Sequence, residues 1–506
     1  FQINWGGGPG SGFDIEYTDA VIMKYNNSGQ LLFSTFLGGF GGERPHSLTI
    51  NNKNELIILG TTNATDFPVT NSAYDTSGNG NWDIYVSKLS ADGSLLIAST
   101  YIGGSENDGI NIDNNYSTKK SLKYNYADDS RGDISVDENF NIYIASCTRS
   151  ADFPTTNYAY QKAYGGGSQD AIVFKFNDNL SQLMYSTFLG GSDDDAAYSA
   201  VYKDQVTYIT GGTRSIDYPV TTNAIQQSFG GDTADAFISS LNLDGSQLLS
   251  STYWGGDRYD QSYFIQLDNE SNVYVLGQTT DTNHYFLINQ AYHDTNGGQF
   301  ITKLNPDLDS IFFSMTFGSD KEYPDISPSA FLVDVCEKIF ISGWGGPLMN
   351  GQPQNMELPV TSNAFQDSTD GKDYYLMVMD NNASSLIYAS YFGSPTSGEH
   401  VDGGTSRFDK RGIIHQAVCA GCAADNNFPT TSGAWSNTNN SAINCNLGTF
   451  QYDFEFPTLN ASFYTNNTVG CSPLDVSFQN QTSLTDSINV DFFWDFGDGQ
   501  TDSNAN

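Results

Sequence analysis

The 506-residue sequence has few basic residues, few histidines and no long apolar run. Its 21 Lys and Arg face 58 Asp and Glu, a formal net charge of -37. A surface of that sign repels nucleic acid and anionic membrane and argues against both as partners. Solubility is the plain reading of such acidity. No apolar stretch approaches the ~20 residues of a membrane span, and no signal peptide is visible at Phe1. The five histidines are His46, His284, His293, His400 and His415. So few disfavour acid–base or zinc chemistry, although carboxylate pairs would still serve. The zincin HExxH, the P-loop, the nucleophile elbow and the dinucleotide fingerprint are all missing.

What is present is the vocabulary of strands and tight turns: 50 Gly, 30 Tyr and 33 Phe, with 14% aromatic residues overall. These residues recur in order. Ser34-Thr35-Phe36-Leu37-Gly38-Gly39 returns at Ser99–Gly104, Ser186–Gly191 and Ser251–Gly256, with weaker copies at Ser314–Ser319 and Ala389–Ser394. The period is about 65 residues, and the one longer gap carries an insertion. After each copy comes a β-branched run, then an aromatic-Pro step such as Asp66-Phe67-Pro68, Asp152-Phe153-Pro154 or Asp217-Tyr218-Pro219. The fourth repeat has Tyr285-Phe286-Leu287 there instead. An alternating strand closes the unit, as at Asp83–Leu89, Asp170–Phe176 and Asp235–Leu241.

Asp92-Gly93 and Asp244-Gly245 supply tight hairpin turns. The Pro step belongs in a loop, because Pro cannot donate to a ladder. The glycine pairs are expected to allow close backbone approach near a ring centre. About four strands per 65 residues, repeated six or seven times, predicts an all-β β-propeller over residues 1–456. A solenoid is the runner-up. Fourth-element strands number seven, from Asp19–Lys24 to the one after Asn444-Cys445, against six first-strand elements. That surplus favours seven blades, completed by sequence upstream of Phe1; six blades with an extra clasp strand is the alternative. After Phe456-Pro457 the pattern stops, and a second, small, truncated all-β domain is expected over 460–506.

The STxLGG, DFPxT and DAxxxKL elements resemble the bacterial SBBP-type β-propeller repeat over about residues 1–456. Trp494-Asp495-Phe496-Gly497-Asp498-Gly499 resembles the hallmark of PKD domains, which are immunoglobulin-like β-sandwiches. Proteins combining the two resemble surface proteins of gliding bacteria exported by type IX secretion. The resemblance implies an extracellular or cell-surface location and supplies no catalytic residues.

Candidate sites lie where the repeat is broken, since rigid rings bind through grafted loops. The insertion at about Ser105 to Arg131 holds Tyr116, Lys119, Lys120, Lys123, Tyr124 and Tyr126, a basic, Tyr-rich contact surface or merely a solubilised loop. Trp344, Met349 and Met356 mark a second departure, for ligand binding or for burial against a neighbouring blade. Asp193, Asp194 and Asp195 would suit structural calcium, with a solvated turn as the plainer reading. His415, Cys419, Cys422 and Cys445 could hold zinc, but oxidised cysteines are the favoured reading, with Cys419, Cys422 and Cys445 as disulfide candidates. Cys147 and Cys336 complete the ring's cysteines, and Cys471 is expected to pair outside this sequence. No cofactor is expected beyond calcium. The combined expectation is a secreted surface protein with a binding, adhesion or display role. Its partners would be other surface proteins, secretion machinery or polysaccharide. A glycan-active hydrolase or lyase on the same scaffold is the alternative.

Overall fold

Each repeat forms one antiparallel sheet, and the sheets are offset from the sequence repeat. In the computed structural model the described residues are 1–6, 17–111, 122–231, 233–281, 285–289, 292, 297–319, 323–345, 357–401, 403–441 and 443–454, and in the second unit 459–460, 463–465, 474, 476–484, 492–496 and 500–503. The chain divides into Phe1–Tyr452 and Asp453–Asn506. A hairpin comes first, β1 (Ala20–Tyr25) and β2 (Leu31–Leu37). The first blade is β3 (Glu43–Ile50), β4 (Leu56–Thr62), β5 (Asp83–Leu89) and β6 (Leu96–Ile102). The second is β7 (Asp133–Val136), β8 (Ile142–Thr148), β9 (Asp170–Phe176) and β10 (Leu183–Leu189). The third is β11 (Asp195–Lys203), β12 (Val206–Thr213), β13 (Asp235–Asn242) and β14 (Leu248–Trp254). The fourth is β15 (Asp260–Leu267), β16 (Val273–Thr279), β17 (Gln299–Leu304) and β18 (Ile311–Phe317). The fifth is β19 (Ser327–Val333), β20 (Ile339–Trp344), β21 (Tyr374–Met379) and β22 (Leu386–Phe392). The sixth has three strands, β23 (Arg407–Phe408), β24 (Ile414–Ala420) and β25 (Asn446–Tyr452).

The fold is a β-propeller with six blades, which corrects the expectation of seven. The inner strands β3, β7, β11, β15, β19 and β23 succeed one another around the ring. The last meets the first directly: Thr405 N donates to His46 O (2.7 Å) and Arg407 Nε to Leu48 O (2.6 Å). No inner strand fits between bonded neighbours. The surplus elements instead form the β1–β2 sheet. That hairpin meets the first blade as one blade meets the next. The Phe1 amine donates to Gly93 O as Tyr160 N does to Gly245 O, and Gly93 packs on Phe33 as Gly245 packs on Tyr185.

The third strands alternate in sequence yet are buried on both faces, as in Asp83–Leu89 and Asp170–Phe176, because blades stack on either side. Their polar residues bond across to the fourth strand: Ser87 with Ser99, Ser239 with Ser251, and Thr302 with Ser314, each at 2.8 Å. Turn glycines Gly29, Gly93 and Gly245 take φ of 73, 67 and 66°, the left-handed backbone of the Asp-Gly and Ser-Gly turns. Among the described residues, helix is limited to short 3-10 turns, and no helix is long and apolar enough to cross a membrane. In the second unit, strands pair at Leu459–Asn460 with Ser483–Leu484, at Phe463–Thr465 with Phe478–Asn480, and at Trp494–Asp495 with Thr501–Asp502. Asp498 and Cys471 lie outside the described residues.

The glycine pairs sit away from the ring axis, at the end of each outermost strand, where the chain crosses to the next blade. The second glycine's N–H donates to the acid four residues on: Gly104 to Asp108, Gly191 to Asp195 and Gly256 to Asp260, each at 2.7 Å, and the latter two open the inner strands β11 and β15. The residue after the pair donates to the Asp of the next blade's aromatic-Pro step: Phe40 to Asp66 (2.7 Å), Ser105 to Asp152 (2.9 Å) and Ser192 to Asp217 (2.8 Å). STxLGG and DFP therefore travel together because they are two halves of one junction. A Cβ on Gly103 would lie 2.0 Å from Asp83 Oδ1 and 2.7 Å from Asp108 Oδ2. Gly103→Ala should lower stability by about 1–3 kcal/mol, seen as a lower urea midpoint at unchanged slope. A parental midpoint contradicts the packing.

Candidate functional site

Two features concentrate buried polar groups: the blade junctions and the ring axis. At five junctions the first glycine lies under two acids, one at the start of a third strand and one just beyond the glycine pair. The acid pairs are Asp19 with Glu43, Asp83 with Asp108, Asp170 with Asp195, Asp235 with Asp260, and Asp373 with Glu399. Gly393 shows the closeness: a Cβ there would lie 2.2 Å from Asp373 Oδ1 and 2.2 Å from Glu399 Oε2. One oxygen of each third-strand Asp accepts from the loop before it, as in Gly230 N to Asp235 (2.8 Å) and Asn79 N to Asp83 (2.8 Å). The Oδ1 atoms of Asp170 and Asp235 are buried with no hydrogen-bond partner. At the fifth junction Gln299 stands where the other third strands have Asp, and its amide bonds backbone, donating to Phe317 O (3.0 Å) and accepting from Asp325 N (2.6 Å).

Burial dominates the acidity of these groups. It pushes Glu43 up to about 8, Asp108, Asp170 and Asp235 to about 7, Asp373 to about 6 and Glu399 to about 9. Asp195 and Asp260 are raised well above the usual range, by burial first and further by the charge of Asp170 and Asp235 respectively.

The ring axis is plugged by the insertion. Leu122 O accepts from Tyr198 of β11 (3.0 Å), and the Tyr124 ring stacks on Tyr259 at 4.5 Å. Asn125 caps a 3-10 turn, Tyr126–Ser130. Asp128 accepts from the Tyr124 and Asn125 amides (2.8 and 3.0 Å) and from Tyr263 of β15 (3.2 Å). Arg131 pairs with Asp128 at 2.8 Å, donates to Ser327 Oγ (2.9 Å) and Pro328 O (3.1 Å) of β19, and lies 4.3 Å over the Tyr263 ring. Ser130 O accepts from Gly404 (2.8 Å), just before β23, and Asp129 pairs with Arg44 of β3 (3.7 Å). One segment reaches the inner edges of five other blades only by lying on the axis. Arg131 and Asp128, the centre of this network, were not among the sequence candidates; a charged pair three apart inside an aromatic insertion is the signal that could have found them.

The predicted residues fall as follows. Tyr116, Lys119, Lys120, Met349 and Met356 lie outside the described residues. Lys123 pairs with Asp129, and Tyr124 is buried in the plug. Trp344 is buried, its ring 6.2 Å from that of His400. Asp193 and Asp194 face Arg214 (3.6 and 3.2 Å), while Asp195 belongs to the junction pair with Asp170. Cys422 and Cys445 form a disulfide; Cys419, Cys147 and Cys336 lie outside it. His415 is exposed beside Asp409 (3.8 Å), away from the cysteines; His400 occupies the place expected for it, bridged to Cys419. His46 is buried, and burial, then the charge of Arg44, pushes it down to about 3, so it is neutral at physiological pH. Burial pushes the Cys147 thiol up to about 12, which makes it inert.

Two expectations follow. A carboxyl with a raised folded pKa binds more protons folded than unfolded, so stability falls as pH climbs from near 4 through the folded values. The urea midpoint should drop between about pH 5 and about pH 9, and Asp235→Asn should flatten the drop; a midpoint rising over that range contradicts the buried pairs. In the plug, Arg131→Ala leaves Asp128 buried without its cation and should cost about 3–5 kcal/mol. Arg131→Met combined with Asp128→Asn should recover part of it, and a loss below about 0.5 kcal/mol for Arg131→Ala would show that the plug carries no load.

No family model matches the sequence, and no curated protein matches it. Solved structures do resemble it. A protein of unknown function from Dyadobacter fermentans aligns with a TM-score of 0.39 at 9% identity, covering 79% of this chain and 93% of that one. The NanB sialidase of Streptococcus pneumoniae gives 0.40 at 8%, covering 81% and 68%. An ulvan lyase gives 0.38 at 9%, covering 73% and 75%. Likeness at this level carries no functional argument, and the propeller rests on its own sheets.

Proposed function

We propose that the chain is a secreted, cell-surface binding or display module, with the SBBP-like ring as a rigid platform and a PKD-like spacer after it. The observation that supports this reading is the plugged axis. Where propeller enzymes would need a cleft with converging acids, this ring holds a buried Arg–Asp pair among tyrosines. Its close-set buried acid pairs are committed to the junctions between blades. A non-catalytic platform needs such rigidity and leaves recognition to outer loops. The partners proposed are other surface proteins, secretion machinery or polysaccharide, at an extracellular location reached by type IX export.

A glycan array, a pull-down from native cell surface and a turnover screen on polysaccharides and glycosides test the reading together. Saturable binding without turnover is expected. Turnover abolished by a single Asp or Glu substitution would replace it with a glycan-active enzyme.

A further inference from the structure

We propose that His400, Cys419, Cys422 and Cys445 form a Cys3His zinc site in the reduced chain. Three ligands come together at the end of β24: Cys419 within it, His400 bridged to it on one side and Cys445 just before β25 on the other. His400 and Cys419 exchange both backbone hydrogen bonds, His400 N to Cys419 O (3.3 Å) and Cys419 N to His400 O (2.9 Å). Directly opposed residues of antiparallel strands send their side chains to the same face. Cys445 lies on the other side of β24, one residue before Asn446, which pairs with Ala420. The ligand atoms of His400, Cys419 and Cys445 lie within 4.8 Å of one another. Zinc holds thiolates at about 2.3 Å and imidazoles at about 2.0 Å in a tetrahedron, which sets its ligand atoms about 3.5–3.8 Å apart. Closing the cluster onto a metal draws these atoms together by up to about 1 Å.

The fourth ligand comes from the turn. Cys419-Ala420-Gly421-Cys422 has the two-residue spacing of structural zinc sites. Gly421, Ala423 and Ala424 hold φ of 61, 59 and 64°. Left-handed backbone at two alanines is strained and persists only where something fixes the loop. In the oxidised chain the Cys422–Cys445 disulfide fixes it together with Asn439, whose Nδ2 donates to Gly421 O and Asp425 O; in the reduced chain the metal takes the place of the disulfide. The two forms exclude each other. A phosphine opens the disulfide by taking the oxygen of one water molecule. Phosphorus is oxidised to the phosphine oxide, both sulfurs are reduced, and the two hydrogens of the water complete the thiols. Zinc then displaces one proton from each of the three cysteines, leaving a site of net charge one minus. Nothing in this depends on the proposed surface role.

The full chain, reduced with a phosphine under nitrogen and freed of excess reductant, is titrated with Co2+ as the optical probe. One Co2+ per chain is expected, with thiolate charge transfer and the visible bands of a tetrahedral site, both displaced by Zn2+. His400→Ala and Cys419→Ser should lose the visible bands, whereas His415→Ala and Cys336→Ser should keep them. His400→Cys should retain a tetrahedral spectrum at shifted wavelength, which separates loss of a ligand from loss of the fold. No uptake by the reduced parent, whether folded or unfolded by circular dichroism, overturns the site. So does a parental spectrum in His400→Ala.

Discussion

The ring depends on one contact: a Cβ-free backbone pressed against two side chains where each blade hands over to the next. The first glycine admits the pair, and the second gives its N–H to one of them. Burying carboxylates is costly unless their lone pairs are satisfied or their charge is removed. The junction does some of each. One oxygen of most of these acids is hydrogen-bonded to backbone, and burial raises the proton affinity of the pairs. The fifth junction, with Gln299 in place of Asp, keeps the shape without the second charge.

The plug works by the same physics at the axis. Six inner strands leave polar edges and tyrosine hydroxyls facing inward, and a buried polar group without a partner destabilises the fold. Segment 122–131 answers them with backbone carbonyls, an Asp and an Arg. Burial holds the phenols of Tyr198, Tyr259 and Tyr263 protonated. Rigid junctions outside and a filled axis inside leave the outer loops as the surface free to vary.

Much of this was legible in the sequence. The glycine pairs, the Asp-Phe-Pro steps and the Asp-Gly turns each announce a fixed backbone, so the repeat and the blade could be read directly. Their joint role was hidden, because the contact crosses from one repeat to the next and Asp83 meets Asp108 only after folding. Counting strand elements found the surplus hairpin but could not say where the ring closes; Arg407 and Thr405 reaching β3 decide that. His415 was chosen for its nearness to Cys419 in sequence, whereas His400 arrives through a strand bridge that spacing does not reveal. Lys123 and Tyr124 stood out by composition as surface residues, yet the same composition serves a buried plug.

Amide hydrogen exchange tests the junction account most directly. If the acid–glycine contact holds the blades together, the N–H groups of Gly104, Gly191 and Gly256 should exchange only on global unfolding, as slowly as the central strands. Exchange at those glycines as fast as in the exposed turns Asp92-Gly93 and Asp244-Gly245 would contradict it.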